Sequence, residues 1–300
     1  MRSDTYKLCL RIILLNYALL INPEPDRAIS FGIHIPKPTI FGANLQNTPP
    51  FAFRRDSCYY NPDMSEINSQ FLPAYDDMVK AGMHFGRKKT IFHPGMKPFV
   101  YTLKDNIYIL DLVKTREGIL KAVDFLKKAI AEGRIILFVG LTKQSADGVR
   151  AVAEALSMPY VINRWLGGTL TNFKTIIARV KYLEELEKDQ AGGGFDKYTK
   201  KEKILKEREI AALKQRFDGI RKLVKIPDIL FISSLKESQL PVREAKRTGV
   251  KVVGIVNTDS DPKQIDIPVP ANDNSKKSIE LILEAIKAGV KNSEEIKIQA

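Results

Sequence analysis

The chain has 300 residues, 44% of them hydrophobic, and 48 Lys and Arg against 35 Asp and Glu give a formal net charge of +13. That apolar share supports a sizeable core, and the excess of cations, with a pI near 9.5, points to a polyanionic partner, nucleic acid before an anionic membrane. Cys9 and Cys58 lie far apart, and His34, His84 and His93 lack metal-ligand spacing, which excludes a disulfide scaffold and a zinc cluster and fits a reducing cytoplasm.

Residues 1–63 carry Pro23, Pro25, Pro36, Pro38, Pro49 and Pro50 and show no sustained hydrophobic period. Such a segment buries too little surface to offset its ordering entropy, so it is expected to be a disordered extension or an upstream stretch that is not translated. Its apolar run Leu8–Ile21 is broken by Arg11 and Asn16 and falls short of the roughly 20 residues a membrane-spanning helix needs. No small-residue cleavage site follows it, so it does not read as a leader peptide.

From Met64 a polar stretch leads to a predicted helix over 73–81. The segment His84-Phe85-Gly86-Arg87-Lys88-Lys89 is a basic loop, and Pro94-Gly95-Met96-Lys97-Pro98 is rich in turn formers. Strands are predicted at 106–112, 134–139, 159–162, 227–232 and 250–256, with helices over 115–132, 145–156, 241–248 and 275–288 between and after them. Solid apolar strands alternating with helices predict a five-stranded parallel sheet covered on both faces.

More than sixty residues separate the third and fourth strands, far beyond an ordinary crossover. One stripe, Ile176, Val180, Leu183 and Leu186, and a second, Ile210, Leu213, Phe217, Ile220 and Val224, recur at helical spacing on either side of Ala191-Gly192-Gly193-Gly194. They predict an inserted antiparallel coiled-coil hairpin over 173–225. The sheet domain then spans 64–172 and 226–290, and 291–300 is a tail.

The stretch Asn163-Arg164-Trp165-Leu166-Gly167-Gly168-Thr169-Leu170-Thr171-Asn172 joins the third strand to the hairpin and holds the only tryptophan. A strand-to-helix loop is where an open α/β sheet presents its ligand surface. Arg164 offers a bidentate phosphate donor and Trp165 a stacking plane. Trp165 equally suits a core gap and Arg164 a solvated charge; either Thr171 or Asn172 is placed to cap the helix that follows. No phosphate-cradling glycine fingerprint is present, and Gly140-Leu141-Thr142-Lys143 is a weak nucleotide signal.

The order Ala81-Gly82-Met83-His84-Phe85-Gly86, then Pro94-Gly95-Met96-Lys97-Pro98, then Ile109-Leu110-Asp111-Leu112-Val113-Lys114-Thr115, resembles the family of small-subunit ribosomal protein two (ribosomal protein S-two), bacterial type. Arg164 to Asn172 matches that family's most distinctive signature. Pro227-Asp228 and Ile267-Pro268-Val269-Pro270-Ala271-Asn272-Asp273 match as well, and the resemblance covers roughly 64–288. It implies a flavodoxin-like sheet with a protruding coiled-coil hairpin, binding to small-subunit ribosomal RNA, and neighbouring small-subunit proteins, among them protein S-one where a genome has one. It implies no catalysis, cofactor, metal, membrane or obligate homo-oligomer, and a place on cytoplasmic ribosomes. The candidate RNA-binding residues are His84, Arg87, Lys88, Lys89, Lys97, Arg164, Trp165, Asn172 and Lys174. Three departures stand out: Arg87 where a second histidine often follows, Phe92-His93-Pro94 for a tryptophan-asparagine-proline, and Asn257-Thr258-Asp259 for a customary Asp-Thr-Asn. The competing reading is a nucleotide- or phosphosugar-binding α/β enzyme using the Gly-Gly loop, which rests on fold analogy alone.

Overall fold

Short apolar runs with no polar interruption build the centre of the molecule. In the computed structural model, which describes residues 71–193, 195 and 199–298, these runs form a parallel sheet. Its strands are β4 (Ile136–Val139), β5 (Tyr160–Val161), β6 (Ile229–Ile232), β7 (Lys251–Val256) and β8 (Ile267–Pro270). They lie in the order β5-β4-β6-β7-β8, all neighbours parallel. Counted by appearance within the sheet this is the 2-1-3-4-5 order of a flavodoxin-like doubly wound fold. The described residues belong to one compact unit, Pro62–Ala300. The expected extension at 1–63 lies outside the described residues.

One of the expected strands resolves differently. The run at 106–112 becomes β3 (Ile107–Leu110), the middle strand of a separate antiparallel sheet with β1 (Phe85–Lys88) and β2 (Val100–Lys104). A two-residue turn, Asp105-Asn106, joins β2 to β3, and both residues have positive φ, 50° and 62°. Short polar side chains tolerate that left-handed region, and it matches the twist of a tight hairpin. The fifth parallel strand is instead β8. Its Pro268 and Pro270 disguise it in the sequence, because proline lacks a ladder donor and is confined to edge strands.

The alternation of side chains along each strand divides the core into two layers. Ile136, Phe138, Ile229, Phe231, Val253, Ile255 and Val269 face one side. There they meet α2 (Leu112–Ala131), α3 (Lys143–Ala155) and α7 (Lys276–Ile298). The first of these begins three residues earlier than the period suggests because the Asp111 carboxylate accepts from the Val113 amide at 3.0 Å and caps it. A short α1 (Tyr75–Lys80) precedes the antiparallel sheet.

Leu137, Val139, Leu230, Ile232, Val252 and Val256 face the other side, against the interhelical residues Val242 and Ala245 of α6 (Gln239–Thr248). The insertion consists of α4 (Phe173–Ala191) and α5 (Lys200–Phe217), and its stripe Ile176, Val180, Leu183, Leu186, Ile210, Phe217 and Ile220 joins this second layer without a break. The second helix starts on a capping box, in which Thr199 and Glu202 satisfy each other's backbone and side-chain groups. Val224, assigned by spacing to the same stripe, is 86% exposed. The helix has already ended at Phe217 and passed through the turn Asp218–Ile220, so its period no longer applies. Among the described residues no helix is long and apolar enough to cross a membrane.

Candidate nucleic-acid interface

The loop between β5 and α4 is fixed by a residue far away in sequence. Glu244, on the inner face of α6, is 5% exposed, and its carboxylate lies beneath the loop. One carboxylate oxygen accepts from Trp165 Nε1 at 3.0 Å and from the Gly168 amide at 2.9 Å. The other accepts from the amides of Leu170 at 3.1 Å and Thr171 at 3.4 Å and from Thr171 Oγ1 at 3.4 Å. Gly168 sits at φ 93°, a conformation that glycine adopts without strain, and this turns its amide toward the carboxylate. Burial raises the Glu244 pKa, but the donated hydrogen bonds from Gly168, Trp165, Leu170 and Thr171 together outweigh it, and the pKa falls below the ordinary value. The carboxylate therefore stays ionised, held by neutral donors.

This arrangement places the loop residues unequally. Trp165 is 5% exposed and is a core residue with a hydrogen-bonded indole, not an open stacking plane. Arg164 next to it is exposed, as are Asn172 and Lys174. Asn172 occupies the cap position of α4 without capping an amide; its side-chain oxygen accepts instead from Thr175 Oγ1 at 2.9 Å.

The basic segment at 84–89 is also divided. Arg87 turns inward: its Nε lies 3.3 Å from Asp259, and one terminal nitrogen lies 3.0 Å from both Asp273 and Asn274. Asp259 and Asp273 are buried, and Asp273 also accepts from Ser234 Oγ and Asn257 Nδ2, each at 2.7 Å. Lys236 adds a second cation to Asp259 at 3.2 Å. The His84 ring lies 4.1 Å from Phe85, and burial lowers its pKa, so it is neutral near pH 7. Lys88, Lys89 and Lys97 are exposed cations.

Both groups lie at the carboxyl end of the sheet, but not together. The loop follows β5 at one edge, whereas Arg87 anchors on the segments after β7 and β8 near the other. Strands about 4.8 Å apart put the end of β5 roughly 14–19 Å from the ends of β7 and β8. Between them, at the switch point after β4 and β6, the hydroxyls of Thr142, Ser145 and Ser233 bond to one another at 2.8 and 2.9 Å. This is where a doubly wound fold usually receives a nucleotide, and here the polar groups are spent on each other.

Sequence reasoning missed Glu244, Asp259 and Asp273 as partners. Glu244 stands in a helix rich in charge, Arg243-Glu244-Ala245-Lys246-Arg247, and looks solvated. Its one signal is phase: it shares the helix face of Pro241 and Ala245, which are buried.

The family model for "Ribosomal protein S2" matches residues 78–293, which covers the sheet, the loop and the helical insertion. The chain belongs to the ribosomal protein S2 family. Among its curated relatives, the "Small ribosomal subunit protein uS2" of Rhodopirellula baltica is 40% identical over 71% of this chain and 82% of its own length. The protein of the same name from Mycobacterium leprae is 40% identical over 71% of this chain and 77% of its own. That of Bifidobacterium adolescentis is 42% identical over 69% and 76%. Arg87 and Asp259, two of the positions singled out in the sequence, meet in space as an ion pair.

Proposed function

We propose that the protein is a structural constituent of the small ribosomal subunit, binding small-subunit ribosomal RNA and supporting translation on cytoplasmic ribosomes without catalysing a reaction. The observation that carries this is the family membership, with relatives named as small ribosomal subunit proteins at about 40% identity over most of the chain. Physical chemistry agrees with it. The net charge is +13, and Lys88, Lys89, Lys97, Arg164 and Lys174 are exposed cations. In this reading those residues and Asn172 meet phosphates, Arg87 and Trp165 hold the loops in shape, and His84 contributes as a neutral donor or acceptor. Such contacts position the protein on folded RNA by shape more than by sequence. Neighbouring small-subunit proteins, protein S-one among them where one exists, are the expected protein partners, and the hairpin over 173–225 is the projecting element. The enzyme reading is not favoured, because the relatives that match most of the chain are named as small ribosomal subunit proteins.

Two measurements test the proposal. The protein should co-sediment with small subunits. Its affinity for small-subunit RNA should fall steeply with salt, with Lys88→Ala, Lys89→Ala and Arg164→Ala each flattening the slope by about one. Sedimentation free of the subunit, or three unchanged slopes with the fold intact, would overturn it.

A further inference from the structure

We propose that the cleft at the root of the helical insertion is a seat for a phosphate group of the RNA backbone; this rests on the RNA-binding reading and adds a specific site to it. The cleft encloses about 260 Å³ between α3, β5 and the end of α5. Arg150 enters from α3, and Lys214 and Arg216 enter from α5, so cations from two elements converge on one opening. The single carboxylate on its lining, Asp218, is engaged by Arg221 at 2.9 Å, and Lys214 is shared with Glu187 at 3.0 Å. Among the described residues neither Arg150 nor Arg216 has a carboxylate within ion-pairing distance. Cations lining the same small volume repel each other, and an anion among them offsets that repulsion. A guanidinium fork fits phosphate oxygens two at a time.

The walls of the cleft are fixed before any ligand arrives. Asn163 Nδ2 donates to the Gln215 carbonyl oxygen at 2.7 Å, which ties the interface loop to the end of α5. Gly219 packs so closely on β5 that an added Cβ would lie 2.1 Å from the Tyr160 carbonyl oxygen, so only a hydrogen fits there. Tyr160 in turn donates to Glu154 at 3.2 Å. Asn163 on the cleft wall is followed directly by the exposed Arg164. A polyanion lying along that loop can thus place one phosphate at Arg164 and a further one in the cleft. This continuity favours an RNA strand over a free phosphate or mononucleotide as the occupant.

The test uses the full chain and a small-subunit ribosomal RNA fragment in filter-binding titrations over a salt series. Arg150→Ala and Arg216→Ala should each reduce the salt slope by about one, and the double variant by about two. Lys277→Ala, in a groove between α1 and α7, serves as the comparison and should leave the slope unchanged. Both arginines are exposed, so thermal melts of the variants should coincide with the parent; Arg150→Gln and Arg216→Gln replace any alanine variant whose melt does not. Unchanged slopes for Arg150 and Arg216 variants beside a steep parent slope would sink the cleft and leave the RNA-binding reading standing. A flat parent slope would sink both. In a second arm, inorganic phosphate or AMP at millimolar concentration should not shift the melting temperature. A shift that the double variant abolishes would assign the cleft to a small molecule and overturn the RNA seat.

Discussion

Removal of the Glu244 carboxylate is the sharpest test of how the signature loop is held. In Glu244→Ala, Trp165 Nε1 and the Leu170 amide lose their acceptor in a buried setting, and the half-buried amides of Gly168 and Thr171 lose theirs where water reaches them in part. A buried donor left unmade costs about 1–3 kcal/mol, so the two fully buried groups alone put the loss at roughly 2–6 kcal/mol. For a domain of this size, 1 kcal/mol moves the melting midpoint by roughly 2–4 °C, so the expected drop is on the order of 10 °C. Glu244→Gln keeps the shape but turns an amide NH2 toward loop donors that already occupy both carboxylate oxygens, and it should lose roughly half as much. The pH dependence has a definite sign. The folded pKa is depressed, so the contribution is present above the unfolded carboxylate value and fades as pH falls below it. Thermal and urea melts at pH 7 and at a series of lower pH values, with hydrogen exchange across 163–172, read both quantities. Variants within about 0.5 kcal/mol of the parent, with exchange unchanged, would show that the carboxylate does not organise the loop.

Three further outcomes follow from the same geometry. Trp165→Ala should lower stability by about 3–5 kcal/mol in urea melts, as for a buried aromatic, whereas Trp165→Phe keeps the ring and should lose only the indole hydrogen bond, about 1–2 kcal/mol. Arg87→Ala leaves Asp273 without its guanidinium and Asp259 with Lys236 alone, and should destabilise by about 3–5 kcal/mol; an effect under 1 kcal/mol would mean that the carboxylates readily take other partners. Hydrogen bonds from Arg221, helped by Lys214, hold Glu187 at a pKa of about 2 against burial that opposes them. Its stabilisation is full above about pH 4.5 and lost as pH falls through about 2. Glu187→Gln should remove about 1–2 kcal/mol at pH 6, allowing for solvent screening of a partly exposed pair, and nearly nothing at pH 2.

The parts of the fold that were legible in the sequence are those written in consecutive residues. Ile136–Val139 and Ile229–Ile232 are apolar on both faces and could only be central parallel strands. The signature loop announced itself by its Gly-Gly pair between a strand and a helix. What stayed hidden depends on partners distant in the chain. Ile107–Leu110 has the composition of a parallel strand, and only the turn at Asp105-Asn106 and the pairing with Val100–Lys104 reveal it as antiparallel. Period analysis carried the hairpin stripe on to Val224 because a period has no knowledge of where the helix stops. Trp165 was balanced between stacking and packing until Glu244, 79 residues on, supplied the partner for its indole nitrogen. Arg87 looked like a phosphate ligand because its two buried carboxylates lie more than 170 residues downstream.

That last separation has a consequence for how the chain is made. The segment from Ala81 to Lys88 is closed by groups that emerge very late. Asn272 donates to the Gly82 carbonyl, Ser275 donates to Ala81, and Arg87 grips Asp273 across 186 positions. At synthesis rates of about 5–20 residues per second, roughly 10–40 s pass between the appearance of the arginine and that of its aspartate. Throughout that interval Arg87 lacks Asp273, and Gly82 and Ala81 lack the donors Asn272 and Ser275. The strands β4, β6 and β7, whose crossovers are already present, can assemble in the meantime. The anchorage of the Ala81–Lys88 segment can therefore close only after residues 259–275 have been made.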